Sequence, residues 1–322
     1  VSWDSEAWAP IVKGLTTYKT RCDLYFKEAS FNDMILACNK NSTASECFLE
    51  NASLSAPSLA YDETADNNLR YVGTDPNNYV SFNNELWRII GVMNNVDNGS
   101  GTKESRIKLV RNESIGDYSY DTGHMRGYSS NYGESDIMTT LNEGPYWNRV
   151  SGTCLEQVGG AINPPHSITC DFSNTGLMEN SKSFIEDAIW NLGPVTSGTL
   201  KSKVYAMERS SDSSTWTGKI GLLSASDVLF AIDPSVDECQ EFEIPVDTKN
   251  TCGGKSYFHS GMGGYSLTMW SDTNTYVLDS LVWPGGSPVW ASHHITPTVY
   301  LKSSVRITSG TGSVDDPYIL SL

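Results

Sequence analysis

No stretch of this chain approaches the roughly 18 consecutive apolar residues that a membrane-spanning helix needs, so no helical span is expected within it. Basic residues are few: 22 Lys and Arg stand against 38 Asp and Glu, for a net charge of −16. No basic stripe offsets that balance, and a chain this acidic repels phosphate backbones, which excludes nucleic-acid binding as an expectation. Charged residues of both signs make up only 19% of the 322 residues, less than a helical cytosolic enzyme usually carries. The motifs of several chemistries are missing. There is no CxxC for zinc, no HExxH or HxH, and no GxSxG nucleophile elbow. The "GGKS" at 253–256 resembles the end of a phosphate-binding loop, but Lys249 stands where that loop needs glycine, and the preceding segment is polar. Repeats of 20 to 50 residues and lipidation signals are also lacking.

What is present suits a β-rich exported protein. Apolar residues make up 39%, enough for a sizeable core, and Ser, Thr, Asn and Gly are abundant. Six of the seven cysteines fall into sequence-local pairs: Cys38 with Cys47, Cys154 with Cys170, and Cys239 with Cys252. Each pair brackets a loop-like segment, and closing a loop of about 15 residues stabilises by roughly 3 kcal/mol in the chain-entropy view. Disulfides are therefore expected, and with them an oxidising compartment. Cys22 is left over, as a buried thiol, an intermolecular partner, or a competitor for one of those pairings. Sequons at Asn41, Asn51, Asn98 and Asn112 matter only in a host that glycosylates. The chain starts at Val1, so any leader or membrane anchor is expected upstream of it.

Residues 1–60 carry apolar residues near helical spacing, and "SFNDMILAC" reads as a helix capped by Ser30. This part is expected to be a helical segment that could serve as the stub of a stalk, followed by a domain over 61–322. From residue 69 the period changes to two. Asn83-Asn84 reads as a two-residue turn, "DNGSG" as a second, and "ELWRIIGVM" and "SRIKLVRNE" as strands of a meander. Arg88 alternates with Trp87 and is expected to be solvated or salt-bridged on the far face. Helices are expected at "GESDIMTTLNEG" with Ser135 as cap, at "SKSFIEDAIWNLG", and at "SASDVLFA" with a Ser224–Asp227 capping box; strands are expected at "KVYAMER", "WTGKIGLL" and "TPTVYLKSSVRI". Strands, then helices, then strands indicate an α+β class.

Four segments, "NLRYVGTDPNNYVSFNNELWRIIGVM", "IKLVRNESIGDYSYD", "WTGKIGLLSASDV" and "TVYLKSSVRITSGTGSVDDPYIL", together resemble a family of bacterial cell-surface proteins. Its shared module, of unknown function, is C-type-lectin-like and distantly similar to the formylglycine-generating enzyme fold. The likeness spans about residues 65–322. It implies antiparallel sheets with short helices and long loops, export, and attachment to the cell envelope. It supplies no ligand. Thr296 stands where such proteins usually carry arginine before the last strand, so an ion pair or hydrogen bond made by that arginine is absent here. The Glu-Pro-Asn and Trp-Asn-Asp signatures of calcium-dependent sugar binding are missing, and no copper-binding or redox cysteine can be carried over. Neither a metal nor a cofactor is expected.

The remaining candidates are few. His124, His166, His259, His293 and His294 show no metal spacing, and the adjacent pair would face opposite sides of a strand. Asp315-Asp316 precedes Pro317 and fits a turn. Residues 256–294 are richest in aromatics among Gly, Ser and Pro. Tyr257, Tyr265, Trp270, Asp272, Tyr276, Trp290 and His293 are the expected contact residues there, with Trp283 as a structural anchor, because rigid aromatics with small polar neighbours are typical of recognition surfaces. The expectation is a non-enzymatic, adhesin-like binding protein that recognises a host or microbial surface protein or glycan. The alternative is the exposed head of a pilus-like or other envelope-assembly subunit. A membrane enters only through an anchor outside the chain.

Overall fold

A computed structural model describes residues 2–4, 9–11, 30–40, 48–49, 52–53, 58–123, 129–157, 165–211, 213–244, 251–258, 262–279 and 283–322. Nine strands build the main sheet: β1 (Leu59–Tyr61), β2 (Leu69–Tyr71), β3 (Tyr79–Phe82), β4 (Glu85–Asp97), β5 (Lys103–Arg111), β6 (Ile220–Gly221), β7 (Thr298–Tyr300), β8 (Arg306–Ser309) and β9 (Tyr318–Ser321). The order is β6-β7-β5-β4-β3-β9-β8, with β2 on β4 and β1 on β2. All pairs are antiparallel except β9 on β3, where Tyr318 lies beside Val80. The class is α+β, dominated by sheet with short helices, as expected.

The hairpin β3–β4 turns at Asn83-Asn84, with φ of 60° and 59°. Two consecutive left-handed residues make the turn whose twist matches the flanking strands, and asparagine tolerates that region better than other side chains. Strand β4 is the spine. Its first half pairs with β3 from Phe82–Glu85 to Tyr79–Arg88, and beyond it Gly91 and Val92 pair with Arg70 and Leu69 of β2. Trp87, Arg88, Ile89, Ile90, Val92 and Met93 are all buried. A strand buried at consecutive positions is covered on both faces, and this corrects the expected solvated Arg88. Its Nε donates to Asn78 Oδ1 at 2.8 Å and its Nη1 to the Tyr79 hydroxyl at 2.9 Å. The guanidinium lies 4.0 Å from the Tyr79 ring centroid and 4.7 Å from that of Tyr257.

The helix Phe31–Lys40 packs on this sheet. Phe31, Met34, Ile35 and Cys38 belong to the main core, Phe31 N donates to Val305 O at 2.7 Å, and the Phe31 ring meets Tyr318 edge-on at 5.7 Å. A boundary at residue 60 therefore does not separate this helix from the core. Ser30 and Asp33 cap it reciprocally.

Two expected elements change type. Residues 183–193 are not helical: Ala188–Asn191 is a strand paired with Thr215–Gly218, its side chains alternating between buried and half-buried. "KVYAMER" is not a strand: Lys201–Glu208 is a helix that buries Lys201, Val204, Tyr205 and Glu208, the i, i+3, i+4, i+7 face. In both places tertiary packing overrides the local pattern. The helices Asp136–Asn142 and Ala225–Leu229 form where expected, capped by Ser135 and by the Ser224–Asp227 box. Asp227 does more than cap. It accepts from Arg70 Nη1 at 3.1 Å and Lys108 Nζ at 2.5 Å, while Arg70 Nε reaches Asp62 at 2.7 Å, so two cations and two carboxylates join the sheet to the helical excursion.

The Cys154–Cys170 and Cys239–Cys252 disulfides are present. Cys38 is buried and disulfide-bonded; the expected pairing with Cys47 falls outside the described residues, as does Cys22. Thr296, in place of the expected arginine, is buried and donates to Gly263 O at 3.2 Å.

Candidate functional site

The aromatic-rich region folds into a three-stranded antiparallel sheet, Gly264–Ser271, Asn274–Asp279 and Trp283–Pro288, followed by the short strand Ser292–His294. Its first strand is tied to the body at alternate residues. Leu267 N donates to Leu223 O at 2.9 Å, Met269 N to Leu192 O at 2.7 Å, and the Thr268 hydroxyl to the buried Glu208 carboxylate at 2.6 Å. Ser292–His294 pairs with Asp117–Ser119, and the Ser119 hydroxyl donates to Trp290 O at 3.0 Å. Gly264, at φ 119°, permits the close crossing of these strands, since a Cβ there would lie 1.9 Å from His294 O. Gly286 is required for a similar reason: a Cβ would fall 2.3 Å from the Trp270 ring.

The expected contact residues divide. Tyr257 and Tyr265 are interior, at 3% and 2% exposure, and so are corrected from contact surface to core. Tyr257 stacks on Phe258 at 4.6 Å and faces the desolvated Arg88 guanidinium, which needs aromatic faces in place of water. Tyr265 points its hydroxyl at the carbonyls of Pro288 and Ala291, 2.7 and 2.6 Å away, and so closes the 288–291 turn from beneath. Burial pushes the Tyr265 phenol far up from its ordinary value, with the Ser287 hydroxyl opposing.

Trp270, Trp290 and His293 remain partly exposed, and Asp272 is exposed at the tip of the first hairpin, where its carbonyl accepts from Ser130 N at 2.8 Å. Trp270 rests its inner side on the small cluster of Val195, Val204, Ala225, Leu229 and Ile244. Tyr276 occupies the strand position opposite Gly286; its side chain lies outside the described residues, as does that of Trp283.

The two histidines face apart, as a strand requires. His293 Nε2 lies 2.8 Å from the Ser287 hydroxyl, and its ring meets Tyr265 edge-on at 4.9 Å. His294 Nδ1 bonds the Asp117 carboxylate instead. With Gly264, Val277 and Ser292 they border a hollow of about 120 Å³. The neighbouring Tyr118 phenol is pushed up by burial and by the Asp117 and Glu156 carboxylates. The carboxylate and the serine thus serve different rings, and the arrangement presents imidazole, hydroxyl and indole edges for contact. Ser287 and Asp117 were not singled out by sequence; their pairing depends on a strand contact between residues 117–119 and 292–294 that no local pattern encodes.

Compared with known proteins, the chain matches no family model, no curated protein and no solved structure.

Proposed function

We propose that this chain is an exported, adhesin-like binding protein whose 264–294 sheet contacts a host or microbial surface protein or glycan. The observation that carries this reading is the partial exposure of Trp270, Trp290 and His293 on a small sheet held at fixed positions by Glu208, Leu223 and Leu192. Aromatics already locked in place lose little entropy on binding. Two disulfides are compatible with an oxidising extracellular compartment. A C-type-lectin-like assignment belongs to the same proposal. It draws support from the long excursion between Arg111 and Thr298, which leaves from β5 and returns to the adjacent strand β7. The test is binding of the chain to arrayed glycans and to extracts of cell-surface proteins. Trp270→Ala or Trp290→Ala should weaken capture at least about tenfold, the usual effect of truncating an aromatic anchor. Undiminished capture in both correctly folded variants would remove the sheet from the binding surface.

A further inference from the structure

A second cleft lies away from the aromatic sheet, between the β1–β2 hairpin and the segment 230–241. It measures about 460 Å³, inside the roughly 300–1,000 Å³ range of small-ligand sites. Tyr61 and Glu63 line one side, Phe230 and Glu241 the other, and Lys201 and Ser202 complete it from the start of the helix. Tyr61 is among the few large apolar side chains left exposed, at 39%.

Both walls are built in advance. Under the first, the Asp62 carboxylate accepts from Thr64 N, the Thr64 hydroxyl, Asn68 N, Asn68 Nδ2 and Arg70 Nε, all within 2.7–3.1 Å. The second wall is stapled by Cys239–Cys252, and the Lys201 ammonium donates to Cys239 O at 2.9 Å. Arg70 links the two: it binds Asp62, and its guanidinium lies 5.6 Å from the Phe230 ring.

The lining selects the ligand by chemistry. Rings at Tyr61 and Phe230 offer flat apolar faces, which a purely ionic ligand does not use. Glu63 and Glu241 accept hydrogen bonds, Ser202 does either, and Lys201, almost buried, has three donors of which one is spent on Cys239. A purely apolar ligand would strip water from the exposed Glu63 and Glu241 carboxylates, of which Glu241 accepts only from Ser202 N, at 3.1 Å, among the described residues, without replacing its hydrogen bonds. An anion would face two carboxylates and a net charge of −16, and a cation would face Lys201. Alternating hydroxyls and C–H faces satisfy the whole set. We propose that the cleft bordered by Tyr61, Phe230, Lys201 and Glu241 is a binding site for a neutral carbohydrate.

Saturation-transfer NMR on the full chain tests this, with lactose, maltose and N-acetyllactosamine as neutral probes and 3′-sialyllactose as an anionic one, backed by an array of neutral oligosaccharides. Binding of a neutral glycan is expected. Tyr61→Ala, an exposed position that leaves the fold intact, should weaken it at least about tenfold. Glu241→Gln should weaken it less, and Trp270→Ala should leave it unchanged. The proposal is overturned if no neutral glycan binds, if only the sialylated probe does, or if Tyr61→Ala binds as well as the parent. Glycan capture lost in Trp270→Ala but kept in Tyr61→Ala would overturn the cleft while sustaining the aromatic sheet; loss in Tyr61→Ala alone assigns neutral-glycan binding to the cleft and leaves the aromatic sheet to be judged by capture of surface proteins.

Discussion

Arg70 and Arg88 are both buried in the main sheet, yet their surroundings solve the same problem differently. Arg70 sits between two carboxylates, Asp62 and Asp227, with Lys108 completing a neutral group of four. Arg88 has no carboxylate within ion-pair distance among the described residues; an amide, a hydroxyl, a carbonyl and two tyrosine faces hold it. Their proton affinities diverge accordingly. Burial lowers that of Arg70, but Asp227 and Asp62 outweigh it and the pKa rises well above the ordinary value. Burial pulls that of Arg88 below the ordinary value, with Tyr79 and Tyr257 opposing. The lesson is that a desolvated cation can be held by opposite charge or by oriented neutral dipoles, and the two solutions fail differently when a member is removed.

The largest expected effect is at the charged junction. Asp227→Ala leaves Arg70 and Lys108 facing only Asp62 and removes a helix cap, so urea denaturation should show a loss of about 4 kcal/mol or more. Arg70→Met should cost about 3–5 kcal/mol, because two buried carboxylates lose their guanidinium. Arg88→Met orphans only neutral acceptors and should cost about 1–3 kcal/mol; a loss equal to that of Arg70→Met would erase the distinction between the two arginines.

Acid sharpens the same contrast. Burial pushes the Asp227 carboxyl up, but Lys108 and Arg70 outweigh it and hold it below its ordinary 3.8; Asp62 is lowered likewise, with Arg70 outweighing burial. A depressed carboxyl stabilises the fold above its unfolded value, and that contribution disappears as pH falls through the folded one. The acid limb of stability, followed by circular dichroism below about pH 4, should therefore shallow in Asp227→Asn and keep its slope in Arg88→Met.

The smallest effect has the opposite sign. Asp121 is pushed up to about 6, chiefly by burial, with the Ser129 amide opposing and Asp136 and Glu134 adding repulsion. Its contribution is fully present below the ordinary 3.8 and declines as pH rises through 6, by on the order of 1–2 kcal/mol. A carboxyl resonance for Asp121 with its midpoint near 4 would contradict this.

Much of the frame was legible because its determinants are local. Asn83-Asn84 can be read as a turn from two residues, and the caps at Ser30, Ser135 and Ser224 from four. Short apolar runs fit either period, so "SKSFIEDAIWNLG" over 181–193 reads as a helix and "KVYAMER" over 203–209 as a strand, and pairing with Thr215–Gly218 decides the first of them against the helix. The fate of Arg88 was partly visible, since "LWRIIGVM" is a nearly continuous apolar run, the mark of a strand covered twice. Within the aromatic region, sequence could not sort Tyr257 and Tyr265 from Trp270 and Trp290. The difference lies in what each ring meets, a guanidinium or a turn carbonyl contributed from elsewhere. The second cleft was invisible because its walls come from three segments far apart in sequence.

Strand β9 inserts between β3 and β8, and its parallel register with Val80 and Ser81 ties residues more than 230 positions apart. During synthesis, β3 waits with one edge unsatisfied until nearly the whole chain has emerged. Any fragment that stops short of Tyr318 leaves β3 with a bare edge and the border strand β8 with nothing to pair on, so proteolytic clipping there should release the last two strands together, whereas loss of β8 alone would only trim the sheet.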